Sequence, residues 1–142
     1  MKITPYQQML LENFYIEKFC FKVNRNIYKD NAVPIYKNLD LKIEIYRESN
    51  DNKKVKVIMF INTSEKSKSI IDFEVEAHSL FFIKDEKECE KRLLITMIMV
   101  TYSTLRGFLM ERLPIKREKI KGHMYTVIPP LISTEDLLNA IE

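Results

Sequence analysis

The 142-residue chain has no tryptophan, only two glycines, two histidines and two cysteines. Cys20 and Cys89 stand alone, without CxxC or Cys/His spacing, which favours one buried strand residue and one surface thiol over a disulfide or a metal site. The sequence also lacks a glycine-rich phosphate loop and a nucleophile elbow. His78 is expected on a solvated strand face beside Glu74 and Glu76. We therefore expect no enzyme, no metal and no cofactor.

Long apolar runs are missing as well. The longest uncharged run, residues 93–105, has 13 residues and is too short to span a bilayer. The N-terminal segment has no continuous apolar core and no small-residue cleavage site. We expect a cytoplasmic protein without a signal peptide and without membrane insertion.

Charge of one sign is not in large excess, since 23 basic and 20 acidic residues give a net charge of +3. Only residues 115–121, IKREKIK, are locally basic, and we interpret them as a solvated loop. No nucleic-acid binding is expected. A content of 46% hydrophobic and 30% charged residues is typical of a globular chain, and this length favours a single domain over residues 1–142.

The chain is organised around residues 85–113, which we predict to form one long helix that ends before Pro114. One apolar stripe should cover a sheet; it consists of Leu94, Ile98, Leu105, Leu109 and Leu113. Further large side chains lie off this stripe, so a second helix face should contact another copy of the chain. The residues predicted for that interface are Met97, Val100, Arg106 and Phe108.

Four alternating segments predict strands at residues 10–24, 39–48, 53–63 and 69–83. The first changes phase, which a bulge near Glu17 and Lys18 would reconcile. Because the connector of residues 25–38 is too long for a hairpin, strand one need not lie beside strand two. We predict an α+β fold, with a four-stranded antiparallel Greek-key sheet in the order 2-3-4-1 packed on the long helix. Ser133 and Asp136 resemble the capped start of a short C-terminal helix.

The apolar side chains exceed what one helix on one sheet can bury. At the end of strand four, residues 80–83 are apolar on both faces of the strand. Residues 125–131, YTVIPPL, form an apolar arm. Such a surplus predicts association with another copy or with a partner.

The order of these features resembles the protein-export chaperone SecB and its SecB-like relatives. The resemblance is carried by the four-strand start, the Phe-rich end of strand four, Leu105-Arg106 within the helix, and IPPLIS at residues 128–133. It implies an ATP-independent holdase, assembled as a dimer of dimers, that binds unfolded or precursor polypeptides in hydrophobic grooves during protein export and translocation. By position, the groove would be lined by Leu80, Phe81, Phe82, Ile83, Tyr125, Val127, Ile128 and Leu131.

Two departures from the family concern delivery to the SecA motor. Ser103-Thr104 replaces the Pro-Tyr that often precedes Leu-Arg. Export members carry acidic residues on strands one and four that meet the SecA tail. Here strand four supplies Glu74 and Glu76, while strand one presents Lys18 and Lys22. Like charges at such a surface oppose docking, so we expect weak SecA binding.

Two other functions compete with a general export chaperone. The first is a SecB-like chaperone dedicated to one partner, such as an antitoxin. The second is a hotdog-type acyl thioesterase, which also wraps a sheet around an apolar helix. The thioesterase is disfavoured because the predicted helix follows all four strands, and because residues 93–110 contain no carboxylate to act as a base.

Overall fold

A computed structural model describes residues 9–23, 39–48, 51–63, 71–84, 90–113, 118–120, 123–125 and 133–139. The strands are β1 (Met9–Val23), β2 (Leu39–Glu48), β3 (Asp51–Thr63), β4 (Ile71–Ile83), β5 (Glu118–Ile120) and β6 (His123–Tyr125). The helices are α1 (Glu90–Arg112) and α2 (Thr134–Asn139). The predicted α+β class is confirmed, with one four-stranded sheet packed on one long helix.

The main sheet is antiparallel and has the order β1-β4-β3-β2, which is the predicted order 2-3-4-1 read from its other edge. β2, β3 and β4 follow one another as a meander. β1 pairs with β4 at the far edge, so β1 and β2 lie at opposite edges of the sheet. The fourteen-residue connector, too long for a hairpin, had indicated that β1 and β2 need not be neighbours.

β1 contains the predicted bulge, where the register with β4 shifts between Ile16 and Lys18. A second shift, between Leu11 and Asn13, was not predicted. Each shift adds one residue to β1, which reverses the alternation of its side chains. Phe14 and Phe19 therefore pack on the same core in spite of their opposite phases in the sequence.

The core lies between this sheet and α1. Its largest fully buried side chains on β2, β3 and β4 are Ile43, Val55, Val57, Met59, Ile61, Val75 and Phe81. On the helix side, the predicted stripe is buried at Ile98, Leu105, Leu109 and Leu113. Leu94 is only half-buried.

The buried arc of α1 is wider than one stripe, since it also takes in Leu93, Met97 and Tyr102. Met97 is 1% exposed, so its predicted place at an oligomer interface is wrong. At 3.6 residues per turn, Leu93 and Met97 lie to one side of the predicted stripe, and the twisted sheet covers them as well.

Three threonines allow the apolar helix to carry hydroxyl groups in its interior. The hydroxyl of Thr101 is fully buried and donates to the carbonyl of Met97 at 2.8 Å. Thr96 and Thr104 donate in the same way to the carbonyls four residues earlier, at 3.0 and 2.8 Å. Each hydroxyl is thus satisfied within α1, without a partner from the sheet.

By length and composition alone, Lys91–Arg112 could cross a membrane. In this fold the same apolar character serves the core, because one side of the helix is buried against the sheet. A core helix passes the same test as a membrane span, so the composition of α1 does not distinguish the two.

Residues 115–121 differ from the predicted solvated loop, because residues 118–120 form β5. β5 and β6 pair antiparallel, and only Lys121 and Gly122 connect them in the sequence. A two-residue connection containing glycine is a hairpin signal. The predicted cap of the last helix is present, since the amide of Asp136 donates to the Ser133 hydroxyl at 3.2 Å.

Candidate functional site

The four residues predicted for the end of strand four lie on opposite faces of the sheet. Phe81 and Ile83 point toward α1 and are 0% and 3% exposed, so they belong to the core and cannot line an open groove. Leu80 and Phe82 alternate with them and are half-buried on the other side, which we call the outer sheet face. Only Leu80 and Phe82 of this predicted set are therefore available to a ligand.

The arm that was predicted to complete the groove contributes little to the described structure. Tyr125 ends β6, and only its backbone is described. Val127, Ile128 and Leu131 lie outside the described residues. Their place in a groove remains a prediction.

Further apolar side chains surround Leu80 and Phe82. Leu10 pairs with Phe82 across β1 and β4 and is 58% exposed. Tyr15 lies four register positions along the same strand pair, opposite His78, and is also exposed. We call Leu10, Tyr15, Leu80 and Phe82 the apolar end of the outer sheet face.

His78 lies at the boundary of this apolar end and is buried, which corrects the prediction of a solvated side chain. Its ring stacks on Tyr15 with centroids 4.8 Å apart. Nε2 donates to the Glu76 carboxylate at 2.6 Å, and Nδ1 lies 3.1 Å from the Tyr15 hydroxyl. Both ring nitrogens of His78 have a hydrogen-bond partner. His78 therefore holds the Tyr15 ring in place and engages the Glu76 carboxylate.

The remainder of the outer sheet face carries charges in opposite pairs. The Lys18 Nζ lies 3.0 Å from Glu74 Oε1, and this hydrogen bond raises the pKa of Lys18. Lys42 lies 3.3 Å from Glu44. The pKa of Glu44 is lowered, chiefly because the Tyr46 hydroxyl donates to it at 2.8 Å. These ion pairs neutralise this part of the sheet internally.

Cys20 lies within this charged part and is exposed, with its Sγ 4.0 Å from Glu74 Oε2. One of the two cysteines was expected to be a buried strand residue. Cys20 lies on β1 but is not buried. The bulge at Glu17 accounts for the difference, because it sets Cys20 opposite Glu74 instead of opposite a core residue. Cys89 lies outside the described residues.

Two lysines adjoin the apolar end. Lys54 pairs with Phe82, and Lys56 pairs with Leu80, across β3 and β4. Within the described part of the chain, neither ammonium group forms an ion pair with a carboxylate. The Nζ of Lys56 lies 5.9 Å from the centroid of the Tyr15 ring.

The helix presents a second surface on the side away from the sheet. Met99, Ser103, Gly107 and Met110 are exposed there, and Arg106 is half-buried beside them. We call these five residues the outer helix face. Of the four residues predicted for an oligomer interface, only Arg106 lies on it.

Val100 and Phe108 are half-buried and pack against the core at the margin of α1. Phe108 meets Phe19 of β1 edge to face, with centroids 5.2 Å apart. The Arg112 guanidinium carbon lies 5.6 Å from the centroid of the Phe108 ring. Phe108 therefore joins the helix to the edge strand within one copy of the chain.

No family model matches the chain. A search of curated proteins also found no match. Among solved structures, the fold is similar to the Mycobacterium tuberculosis Rv1957 SecB-like chaperone, determined in complex with a ChAD peptide from the Rv1956 HigA1 antitoxin. The two chains are 12% identical, with a TM-score of 0.50 over 73% of this chain and 79% of that one. The fold is SecB-like.

Proposed function

We propose that this protein is an ATP-independent holdase of the SecB-like type, which binds unfolded polypeptides through apolar side chains left exposed on its fold. The observation that carries the proposal is exposed apolar surface on both layers of the molecule. The exposed large apolar residues are Leu10, Tyr15, Phe21 and Tyr46 on the sheet, and Met99 and Met110 on α1. An isolated two-layer domain gains no stability from apolar side chains that remain exposed on both of its outer sides.

The two surfaces suit different occupants. The outer helix face is a narrow strip with Ser103 and Gly107 between two methionines, so a second helix can approach closely. We assign it to contact with another copy of the chain. The outer sheet face is broader and mixes apolar with charged groups, which suits a client of variable sequence.

Energetics favour an oligomer for client binding. Burying one large apolar side chain is worth about 1.5 to 3 kcal/mol. Four such contacts yield roughly 6 to 12 kcal/mol, against about 4 to 15 kcal/mol of lost freedom on association. One copy would bind weakly, whereas several copies that engage one unfolded chain gain from high effective concentration.

The client range separates two versions of this function. The Rv1957 structure contains an antitoxin peptide, which supports a chaperone dedicated to one partner. The resemblance of the sequence to the export chaperones supports a general cytoplasmic role with precursor proteins. A pull-down from the native cell decides between them, because a dedicated chaperone returns one dominant protein.

Delivery to a SecA-type motor is not favoured by the outer sheet face. Glu74 is engaged by Lys18, and Glu76 is engaged by His78. We propose weak or absent binding of a basic SecA tail, and a gain on changing Lys18 to Asp and Lys22 to Glu. Calorimetry with a SecA C-terminal peptide should show the gain at low salt and a smaller gain at high salt.

Light scattering by an aggregating client tests the holdase function. The protein should suppress aggregation without nucleotide, and the variant with Leu80→Ser and Phe82→Ser should require several-fold more protein for the same effect. Lys22→Ser with Lys91→Ser is the control, because both side chains are exposed and neither belongs to the apolar surface. If the unmodified protein leaves aggregation unchanged at a several-fold molar excess, the proposed function is wrong.

A further inference from the structure

The outer sheet face carries its charges unevenly. Away from the apolar end, cations and anions are matched, as Lys18 with Glu74 and Lys42 with Glu44. At the apolar end, Lys54 and Lys56 have no carboxylate partner in the described part of the chain. Among the described residues, apolar side chains and lysines without an ion-pair partner therefore coincide at one end of the sheet.

The register places the two kinds of group side by side. Phe82 and Leu80 lie along β4, and Lys54 and Lys56 lie opposite them on β3. Neighbouring strands are about 4.8 Å apart. Each ammonium group can thus reach a carboxylate on a ligand whose apolar side chains rest on Phe82 and Leu80. Leu10, on the other side of β4, widens the apolar strip.

We propose that the apolar end, together with Lys54 and Lys56, selects acidic amphipathic segments of client polypeptides over basic ones of equal hydrophobicity. This inference rests on the proposed function, since the bound segment belongs to a client. An acidic sheet face would be expected to prefer basic segments, so the proposed preference is the reverse. The recognised segment presents a row of apolar side chains with a row of Asp or Glu beside it.

An anionic membrane offers the same chemistry but fits the surface less well. Two lysines contribute only weakly to binding at a charged leaflet. Leu80 and Phe82 are half-buried between their neighbours, so they cannot insert deeply into acyl chains. A peptide laid across the sheet can reach both side chains and both ammonium groups at once.

Fluorescence anisotropy with two labelled peptides tests the selection. The peptides share their apolar positions and carry Glu in one and Lys in the other at the remaining positions. The unmodified protein should bind the acidic peptide about tenfold more tightly, with the difference shrinking at high salt. The variant K54E/K56E should reverse the preference.

The variant K22E/K91E is the matched control, because it makes the same change in net charge at exposed lysines away from the apolar end. It should retain most of the preference for the acidic peptide. Equal affinity for the two peptides would overturn the inference, as would an equal loss of preference in both variants. Binding to phosphatidylserine vesicles without binding to the acidic peptide would assign the surface to a membrane and overturn it as well.

The aggregation assay, not the peptide-binding assay, decides whether the proposed function is wrong. If the unmodified protein suppresses aggregation of acidic and basic clients equally, the holdase stands and the selection is wrong. If it suppresses no aggregation yet binds the acidic peptide tightly, the surface is a peptide-binding site of a protein that is not a holdase.

Discussion

Phe81 and Phe82 are adjacent in the sequence, but the sheet separates their roles. Phe81 is fully buried against α1, while Phe82 is half-buried on the outer sheet face. The alternation that starts at Phe73 predicts this separation, because every second residue from Phe73 to Ile83 points to the core. The run of apolar residues at 80–83 hid that phase in the sequence, since both faces carry large apolar side chains there.

Substitution of the two phenylalanines should separate stability from binding. Phe81→Ala should lower the free energy of unfolding by about 3 to 5 kcal/mol, because it opens a cavity in the core. Phe82→Ala should cost no more than about 1 kcal/mol, because its side chain already contacts water. Urea denaturation followed by circular dichroism measures both values. Similar losses from the two variants would contradict their assignment to opposite faces.

The buried phenol of Tyr102 should make the free energy of unfolding depend on pH in the alkaline range. Burial raises the pKa of this phenol from 10.0 to about 12. The folded protein therefore holds the proton more tightly than the unfolded chain does, and this contribution to stability is complete below pH 10. It is lost as the pH rises from 10 to 12, by about 2 to 3 kcal/mol at about 1.4 kcal/mol per pKa unit.

The variant Tyr102→Phe isolates that contribution from the titration of other groups. Urea denaturation at several pH values between 9 and 12 should show a shallower loss of stability in the variant than in the unmodified protein. Parallel curves for the two proteins would show that the Tyr102 phenol ionises without a penalty from burial.

At the scale of elements, periodicity predicted the four long strands, their order and one of two bulges. These features depend on local alternation and on loop length, which the sequence carries directly. The hairpin of β5 and β6 was missed because three-residue strands show no measurable period. The wide buried arc of α1 was missed because an apolar pattern nearly all round the helix does not define which side the sheet covers.

Gly107 lies on the outer helix face, within the interior of α1. A methyl group added at this position meets no atom of its own chain within 4 Å. In protein dilute enough to be monomeric, Gly107→Ala should therefore raise the free energy of unfolding by about 0.5 to 1 kcal/mol, because alanine loses less backbone entropy in a helix. Thermal denaturation of dilute protein measures the change. A loss of stability in the monomer would contradict the open space beside the glycine in its own chain.

For the whole molecule, the exposed methionines of the outer helix face predict a homo-oligomer. Size-exclusion chromatography with multi-angle light scattering should give a dimer or a tetramer at micromolar concentration. Met99→Glu with Met110→Glu should shift the protein to a smaller species, because two carboxylates would be buried without partners.

The control for that experiment is Lys18→Gln with Lys22→Gln, which makes the same change in net charge at exposed positions on the outer sheet face. It should leave the oligomer intact. A monomer for the unmodified protein would mean that the exposed methionines of α1 serve a different partner. Equal dissociation by both variants would attribute the effect to net charge.

The central claim is that the protein binds polypeptides because they are unfolded. Isothermal titration calorimetry with one client in two states tests it most directly, using a disulfide-containing protein in its native form and the same protein held unfolded by reduction and alkylation. Binding should be saturable for the unfolded form, independent of ATP, and undetectable for the native form. Equal binding of both forms, or of neither, would contradict the account.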